Sequence, residues 1–158
     1  MQYTPGQVRQ AVRLTQETLR HWRAIFTFLS GIRGQGPSYR PAQILTLAII
    51  KRLVEDCGLS VSALKTVEAQ LHYVVQIRHW TALERGSLSL ALSTGEATFI
   101  EGRSASVRDC AIILLPLGPV ISELRVALTG MEVLDDQPSL NFPPVPVTPE
   151  AAARARQA

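Results

Sequence analysis

Apolar residues recur at spacings of three and four through the first half of the chain, which is typical of amphipathic helices. Each such segment follows a helix-initiation signal: Thr4-Pro5, Thr15, Pro41 and Ser60. The segment after Ser60 is expected to run as one helix to about Val75, and Gly58 is expected to end the helix before it. A glycine-rich loop over residues 31–40 separates the second predicted helix from the third.

The pattern changes in the second half, where Ser87–Ser93 alternates strictly between leucine and a small residue, serine or alanine. Such alternation predicts a strand with one buried face. The remaining predicted elements are a turn at Thr94-Gly95, strands over Ala97–Ile100 and Cys110–Leu115, and a helix over Val120–Leu128. The fold class is therefore α+β, with a mainly helical module over residues 1–80, a small hairpin, strand and helix unit over 87–134, and a disordered Pro-rich tail over 135–158.

Charge is divided unevenly along the chain. Residues 1–86 hold eleven Lys and Arg against five Asp and Glu, whereas residues 87–158 hold five against eight. A cationic half attracts polyanions such as nucleic acids. Because a solvated basic face gives the same count, charge alone leaves both interpretations open.

Several function classes find no support in the sequence. No apolar run is long enough to span a membrane, and no secretory signal is present, so we expect a cytoplasmic protein without a membrane partner. Two cysteines, Cys57 and Cys110, have no metal-binding spacing, and no catalytic or phosphate-binding motif occurs. We therefore predict no enzyme, no metal site and no cofactor.

Five short segments of the first seventy residues have a family resemblance. They are Tyr3-Thr4-Pro5-Gly6-Gln7-Val8, Thr18-Leu19-Arg20-His21-Trp22, Tyr39-Arg40-Pro41-Ala42-Gln43-Ile44, Ile50-Lys51-Arg52-Leu53 and Gly58-Leu59-Ser60-Val61-Ser62-Ala63-Leu64. In this order the chain resembles the DNA-binding domain of the MerR family of bacterial regulators over roughly residues 3–70. The resemblance implies a winged helix-turn-helix that binds double-stranded DNA, with the helix around 16–26 in the major groove and the loop 31–40 as the wing.

Physical chemistry agrees with this assignment. Leu19, Trp22 and Phe26 can form the buried side of the recognition helix, while arginine and glutamine on the other side can hydrogen-bond base edges or phosphates. Tyr39 either packs in the core alone or also offers its hydroxyl to phosphate. The candidate DNA-binding residues are Thr15, Gln16, Glu17, Arg20, His21, Arg23, Arg33, Tyr39 and Arg40.

The sequence also departs from the family it resembles. Arg23 stands where the family usually has an acid, and Pro37-Ser38 stands where its wing usually carries an arginine pair. The family's long dimer-forming coiled coil is also missing, because the fourth helix must end by Trp80, before the hairpin. We therefore expect residues 87–134 to form a homodimer, since the leucines of Ser87–Ser93 need a covering surface. The alternative is that this unit binds a partner at a small pocket or contact shaped by Leu115–Pro119.

The expected function is that of a sequence-specific transcription regulator of bacterial or phage type, associated with the nucleoid. RNA polymerase and another regulator are candidate protein partners. Two alternatives stay open: an excisionase-like or nucleoid architectural DNA binder, and a protein-interaction adaptor without DNA binding.

Overall fold

The computed structural model describes residues 1–34, 36–102 and 110–135 of the chain. The helices are α1 (Pro5–Val12), α2 (Gln16–Ile25), a short 3-10 helix (Thr27–Leu29), α3 (Pro41–Cys57), α4 (Val61–Lys65), α5 (Glu68–Gln76), α6 (Trp80–Leu83) and α7 (Leu117–Asp135). The strands are β1 (Gly86–Ala91), β2 (Glu96–Glu101) and β3 (Ile113–Pro116). The α+β fold class predicted from the sequence is confirmed.

Local capping residues fix the first two helices. Thr4 accepts a hydrogen bond from the Gln7 backbone amide, and the Gln7 side chain accepts one from the Thr4 amide, so a capping box begins α1. The Thr15 hydroxyl accepts from the Thr18 amide and begins α2. These predicted helix starts are confirmed.

Helix α3 is the most deeply buried helix of the N-terminal module. Pro41 occupies its first turn, where a missing amide hydrogen costs little. Gly58 ends it with a left-handed backbone, φ 65°. Its fully buried residues include Ile44, Leu47 and Leu53, so both the predicted boundaries and the predicted burial are confirmed.

The single helix predicted from Ser60 to about Val75 is wrong. Two helices, α4 and α5, replace it, with a break at Thr66-Val67. The Thr66 hydroxyl donates to the Ala63 carbonyl at 2.8 Å, and the Val67 amide donates to the Leu64 carbonyl, so the last turn of α4 tightens and stops. The apolar spacing continues across the break, which is why periodicity alone missed it.

The three strands form one antiparallel sheet in the order β2-β1-β3. The predicted hairpin is confirmed, with Gly95 at φ 71° in its turn. Gly86 is required at the start of β1, because a Cβ there would lie 2.4 Å from the ring of Phe99. The predicted strand Cys110–Leu115 instead starts at Ile113 and includes Pro116, since residues 110–112 do not take part in the ladder between β1 and β3.

Helix α7 starts earlier and runs further than the predicted Val120–Leu128. Its buried residues, among them Val120, Leu124 and Leu128, pack against α1 and α3. Leu88 and Leu90 of β1 are fully buried in the same core cluster, which also contains Leu47 and Leu53 of α3. The leucines that were expected to need a second copy are thus covered within the chain.

The predicted Pro-rich tail lies, from residue 136 onwards, outside the described residues. In the part of the chain that the structure describes, no helix combines the length and apolar character needed to cross a membrane.

Candidate nucleic-acid interface

Helix α2 is strongly two-sided. Leu19 and Trp22 are buried against the module, and the opposite side carries exposed side chains over two turns. Those exposed side chains are Gln16, Glu17, Arg20, His21 and Ala24. With a threonine cap at its exposed start, α2 has the form of a helix whose outer side can enter a groove of duplex DNA.

The exposed arginines around this helix carry positive charge that no ion pair of the described residues neutralises. Arg20, Arg33 and Arg40 are exposed, and among the described residues no carboxylate forms an ion pair with any of them. The C-terminal half of α3 differs, because Lys51 and Arg52 there pair with Glu55, Asp56 and Glu123. The field that attracts a polyanion is therefore concentrated at α2 and the loop 31–40.

Arg23 does not share the exposed side of α2 with Arg20. It is half-buried, and its guanidinium donates a hydrogen bond to the Ile32 carbonyl oxygen. Burial raises the pKa of the Tyr39 phenol, and the positive charge of Arg23 opposes that effect. Arg23 thus connects α2 to the loop 31–40.

Tyr39 is fully buried, and its hydroxyl has no hydrogen-bond partner among the described atoms. Burial raises the pKa of the Tyr39 phenol above its ordinary value. Its backbone forms an isolated bridge with Tyr3, with amide-to-carbonyl distances of 2.9 and 3.1 Å. The structure therefore places Tyr39 behind the exposed arginines rather than among them.

Gln43 ties together the two ends of the segment between α2 and α3. Its Nε2 donates to the Phe28 carbonyl at 2.9 Å, and its Oε1 accepts from the Arg40 amide at 2.9 Å. Because one rigid amide bonds both ends, the loop that carries Arg33 and Arg40 is closed by α3. Sequence analysis missed this role, although Gln43 stands three residues after Arg40, the spacing of a capping box.

Helix α5 holds the start of the same segment. Both carboxylate oxygens of Glu68 accept from the Thr27 amide, at 2.9 and 3.0 Å, and Oε1 also accepts from the Thr27 hydroxyl at 3.0 Å. Glu68 is only 3% exposed, so these bonds compensate a buried charge. No local sequence signal identifies this contact, because the partners lie 41 residues apart.

His72 lies one turn after Glu68 on α5 and adds a second contact between this helix and the segment that follows α2. Its ring stacks on Phe28 with centroids 5.0 Å apart, and its Nδ1 lies 3.0 Å from the Thr46 hydroxyl oxygen. That hydroxyl donates to the Ala42 carbonyl, so His72 Nδ1 carries the hydrogen and donates to Thr46. Burial lowers the pKa of His72 below its ordinary value, which favours the neutral ring.

The turn between α1 and α2 contains a residue that sequence analysis left out of the site. Arg13 is exposed and adopts a left-handed backbone, φ 58° and ψ 51°, where glycine is usual. A left-handed conformation costs an L-residue about 1–2 kcal/mol. Because Arg13 is an exposed cation in the turn that leads into α2, it is added to the candidate interface.

Together these features define a helix-turn-helix with a tethered loop, the architecture of a DNA-binding module. Residues 3–71 match the model of the MerR HTH family regulatory proteins. The resemblance found in the sequence is thus confirmed over residues 3–71 of the chain. No curated protein matches the chain. The family match supports a DNA-binding transcription regulator in general terms.

Proposed function

We propose that this protein binds double-stranded DNA in a sequence-specific manner and regulates transcription. The observation that carries the proposal is the exposed side of α2, where Arg20 projects without a carboxylate partner in the described structure. Gln16, Glu17 and His21 share that side and can approach base edges in the major groove. The N-terminus of α2, which Thr15 caps, is exposed and can approach the phosphate backbone.

Arg33 and Arg40 act on the phosphate backbone in this proposal. Both lie in the segment that Gln43, Arg23 and Glu68 fasten to the module, so their positions relative to α2 are fixed. Contacts of this kind supply affinity and register but carry no sequence information. Arg23 and Tyr39 contribute by supporting the loop from behind.

A dimer remains part of the proposal, on a narrower basis than the sequence analysis gave it. Leu88 and Leu90 need no second copy, but β3 lies at an edge of the sheet and Leu114 on it is 42% exposed. An uncovered edge strand can pair with a second copy. Sedimentation of the full chain should show a dimer at micromolar concentration, and Leu114→Arg should make it a monomer; a monomeric parent protein would remove this part.

Selection of binding sites from a random duplex pool, followed by footprinting, tests the function. A sequence-specific regulator should enrich one motif and protect a short, bounded region. An architectural protein would enrich no motif and would spread along the duplex, and an adaptor without DNA contact would protect nothing. Either of the last two results would overturn the proposal.

A further inference from the structure

A cavity of about 490 Å³ lies between the N-terminal module and the C-terminal unit. It is bounded by the first turn of α3, the end of α5, the start of α6 and the middle of α7. Its lining includes Tyr3, Ala42, Val75, Trp80 and Leu128. Small-molecule sites typically have volumes of about 300–1,000 Å³, so this cavity has the size of one, with a lining that mixes apolar and polar residues.

Apart from the Tyr3 phenol, the ionisable groups of the lining are all basic. Arg78, His79 and Arg125 contribute to it, and none of the described lining residues is acidic. Arg125 is neutralised from outside the lining, since its guanidinium makes two hydrogen bonds to Glu84, at 2.9 and 3.2 Å. Positive charge in the cavity therefore comes mainly from Arg78.

Arg78 is held in place without being neutralised. Its Nη1 donates to the Val74 carbonyl at 3.2 Å, and its guanidinium lies 5.2 Å from the centre of the Phe99 ring. In the described part of the chain it has no carboxylate partner. Phe99 is not among the lining residues, so the aromatic part of the lining comes from Tyr3 and Trp80. A lining that combines these rings with the unpaired Arg78 matches an amphipathic anion, with a ring system on Trp80 and one acidic group on Arg78.

The cavity also touches the residues that close the loop 31–40. Tyr3 pairs with Tyr39 at the end of that loop, and Pro41-Ala42 follow Arg40 directly. A ligand that contacts Tyr3 and Ala42 therefore contacts the base of the DNA-binding loop. Ligand binding changes the affinity for DNA if the ligand binds one conformation of these loop-anchoring residues more tightly than another.

We propose that this cavity binds a small amphipathic anion, a ring system with a single acidic group, and that its occupancy changes the affinity for DNA. The proposed ligand binding is argued from the cavity and its lining residues and does not depend on DNA binding. The coupling rests on the proposed DNA-binding function. The helix-turn-helix fold does not by itself assign a ligand-binding role to the residues that line the cavity.

Two fluorescent probes with the same ring system test the site in the full chain. 1-Anilinonaphthalene-8-sulfonate carries an acidic group, and N-phenyl-1-naphthylamine lacks it. Saturable, one-site binding of the sulfonate is expected, because Arg78 and the apolar wall recognise both of its parts. Arg78→Gln should weaken sulfonate binding by about tenfold or more and leave the uncharged probe within about twofold, while Arg78→Lys should restore most of the affinity.

Three further measurements complete the test. Thr129→Phe narrows the cavity and should abolish binding of both probes, whereas Val126→Ser removes an exposed valine outside the cavity and should change neither. Circular dichroism checks that each variant is folded, and retained binding of the uncharged probe shows that Arg78→Gln keeps the cavity. Sulfonate binding that is unaffected by both Arg78→Gln and Thr129→Phe would overturn the site.

A separate measurement tests the coupling between cavity occupancy and DNA affinity. DNA affinity is measured with and without saturating sulfonate probe, in the parent protein and in Thr129→Phe. A shift of about fivefold or more in the parent protein alone is expected, from a coupling free energy at the low end of common values. Probe binding without any such shift would overturn the coupling. Absence of DNA binding even without probe would instead contradict the proposed function and leave the ligand site measured.

Discussion

The Glu68 carboxylate on α5 accepts hydrogen bonds from the backbone amide of Thr27, the first residue after α2 and Phe26. The contact spans two parts of the chain and places a buried negative charge at the start of a 3-10 helix. Helix starts favour negative charge, because their amide groups have no partners within the helix. Helix α5 thereby fixes the point at which the chain leaves α2 for the loop 31–40.

Replacing this buried carboxylate should therefore destabilise the fold. Glu68→Gln keeps the size but loses charge-assisted bonds, and we expect the free energy of unfolding to fall by about 1.5–3 kcal/mol. Glu55→Gln is the matched control, because Glu55 is 59% exposed in a surface ion pair and should change stability by less than about 1 kcal/mol. Denaturant unfolding measures both, and equal effects would refute the role given to Glu68.

Stability should depend on pH through His72. Burial holds the pKa of His72 in the folded protein below that of the unfolded chain, so the unfolded chain binds more protons as the pH falls. This contribution is fully present above about pH 6.5 and is lost progressively below it. His72→Phe keeps the stacking on Phe28 and should flatten the pH dependence of unfolding between about pH 7 and 5.

The control for this titration is His21→Asn, because His21 is exposed on α2. That variant should keep the parent protein's pH dependence. If His72→Phe and the parent protein lose stability in parallel as the pH falls, another group carries the titration.

Arg13 should lower stability relative to glycine while contributing charge. Arg13→Gly relieves a left-handed strain of about 1–2 kcal/mol and adds backbone entropy to the unfolded chain worth about 0.5–1 kcal/mol. We therefore expect a net gain of roughly 0.5–1 kcal/mol in stability, together with weaker binding to any duplex. Arg13→Ala removes the charge without relieving the strain, so thermal unfolding of the two variants separates the effects.

Arg33 and Arg40 should contribute to the affinity for DNA but not to its sequence preference. Replacing either with alanine should weaken binding to selected and scrambled duplexes alike and lower the salt dependence by about one unit per lost phosphate contact. Arg85→Ala is the matched control, an exposed arginine in the link before β1. A changed sequence preference with an unchanged salt slope would show that these residues read bases.

Local signals were sufficient to predict much of the fold. The Thr4 and Gln7 capping box, Pro41 and Gly58 each act within a few residues, so the sequence alone located α1 and α3. The hairpin followed from strict alternation and one turn. The break between α4 and α5 depends on Thr66 and on Glu68, whose partner is 41 residues away, and periodicity does not record such contacts.

The candidate site likewise contains residues whose positions follow from local sequence and residues whose positions depend on distant contacts. Arg20 lies on the exposed side of α2 because helical spacing from Leu19 and Trp22 puts it there. The same spacing places Arg23 near the boundary of the buried side, where only the position of Ile32 decides that it bonds the loop. The cover over Leu88 and Leu90 likewise depends on how elements distant in sequence pack, so a second copy was invoked where the chain covers them itself.

The most direct test of DNA reading by α2 is the affinity of Arg20→Ala for its selected site. Fluorescence anisotropy with a labelled duplex should show a loss of about 1–3 kcal/mol, or roughly 5- to 150-fold, on the selected sequence. The loss on a scrambled duplex should be much smaller, and Arg85→Ala should leave the preference between the two duplexes unchanged. A folded Arg20→Ala protein that keeps the parent affinity and the parent preference would contradict the assignment of α2 as the recognition helix.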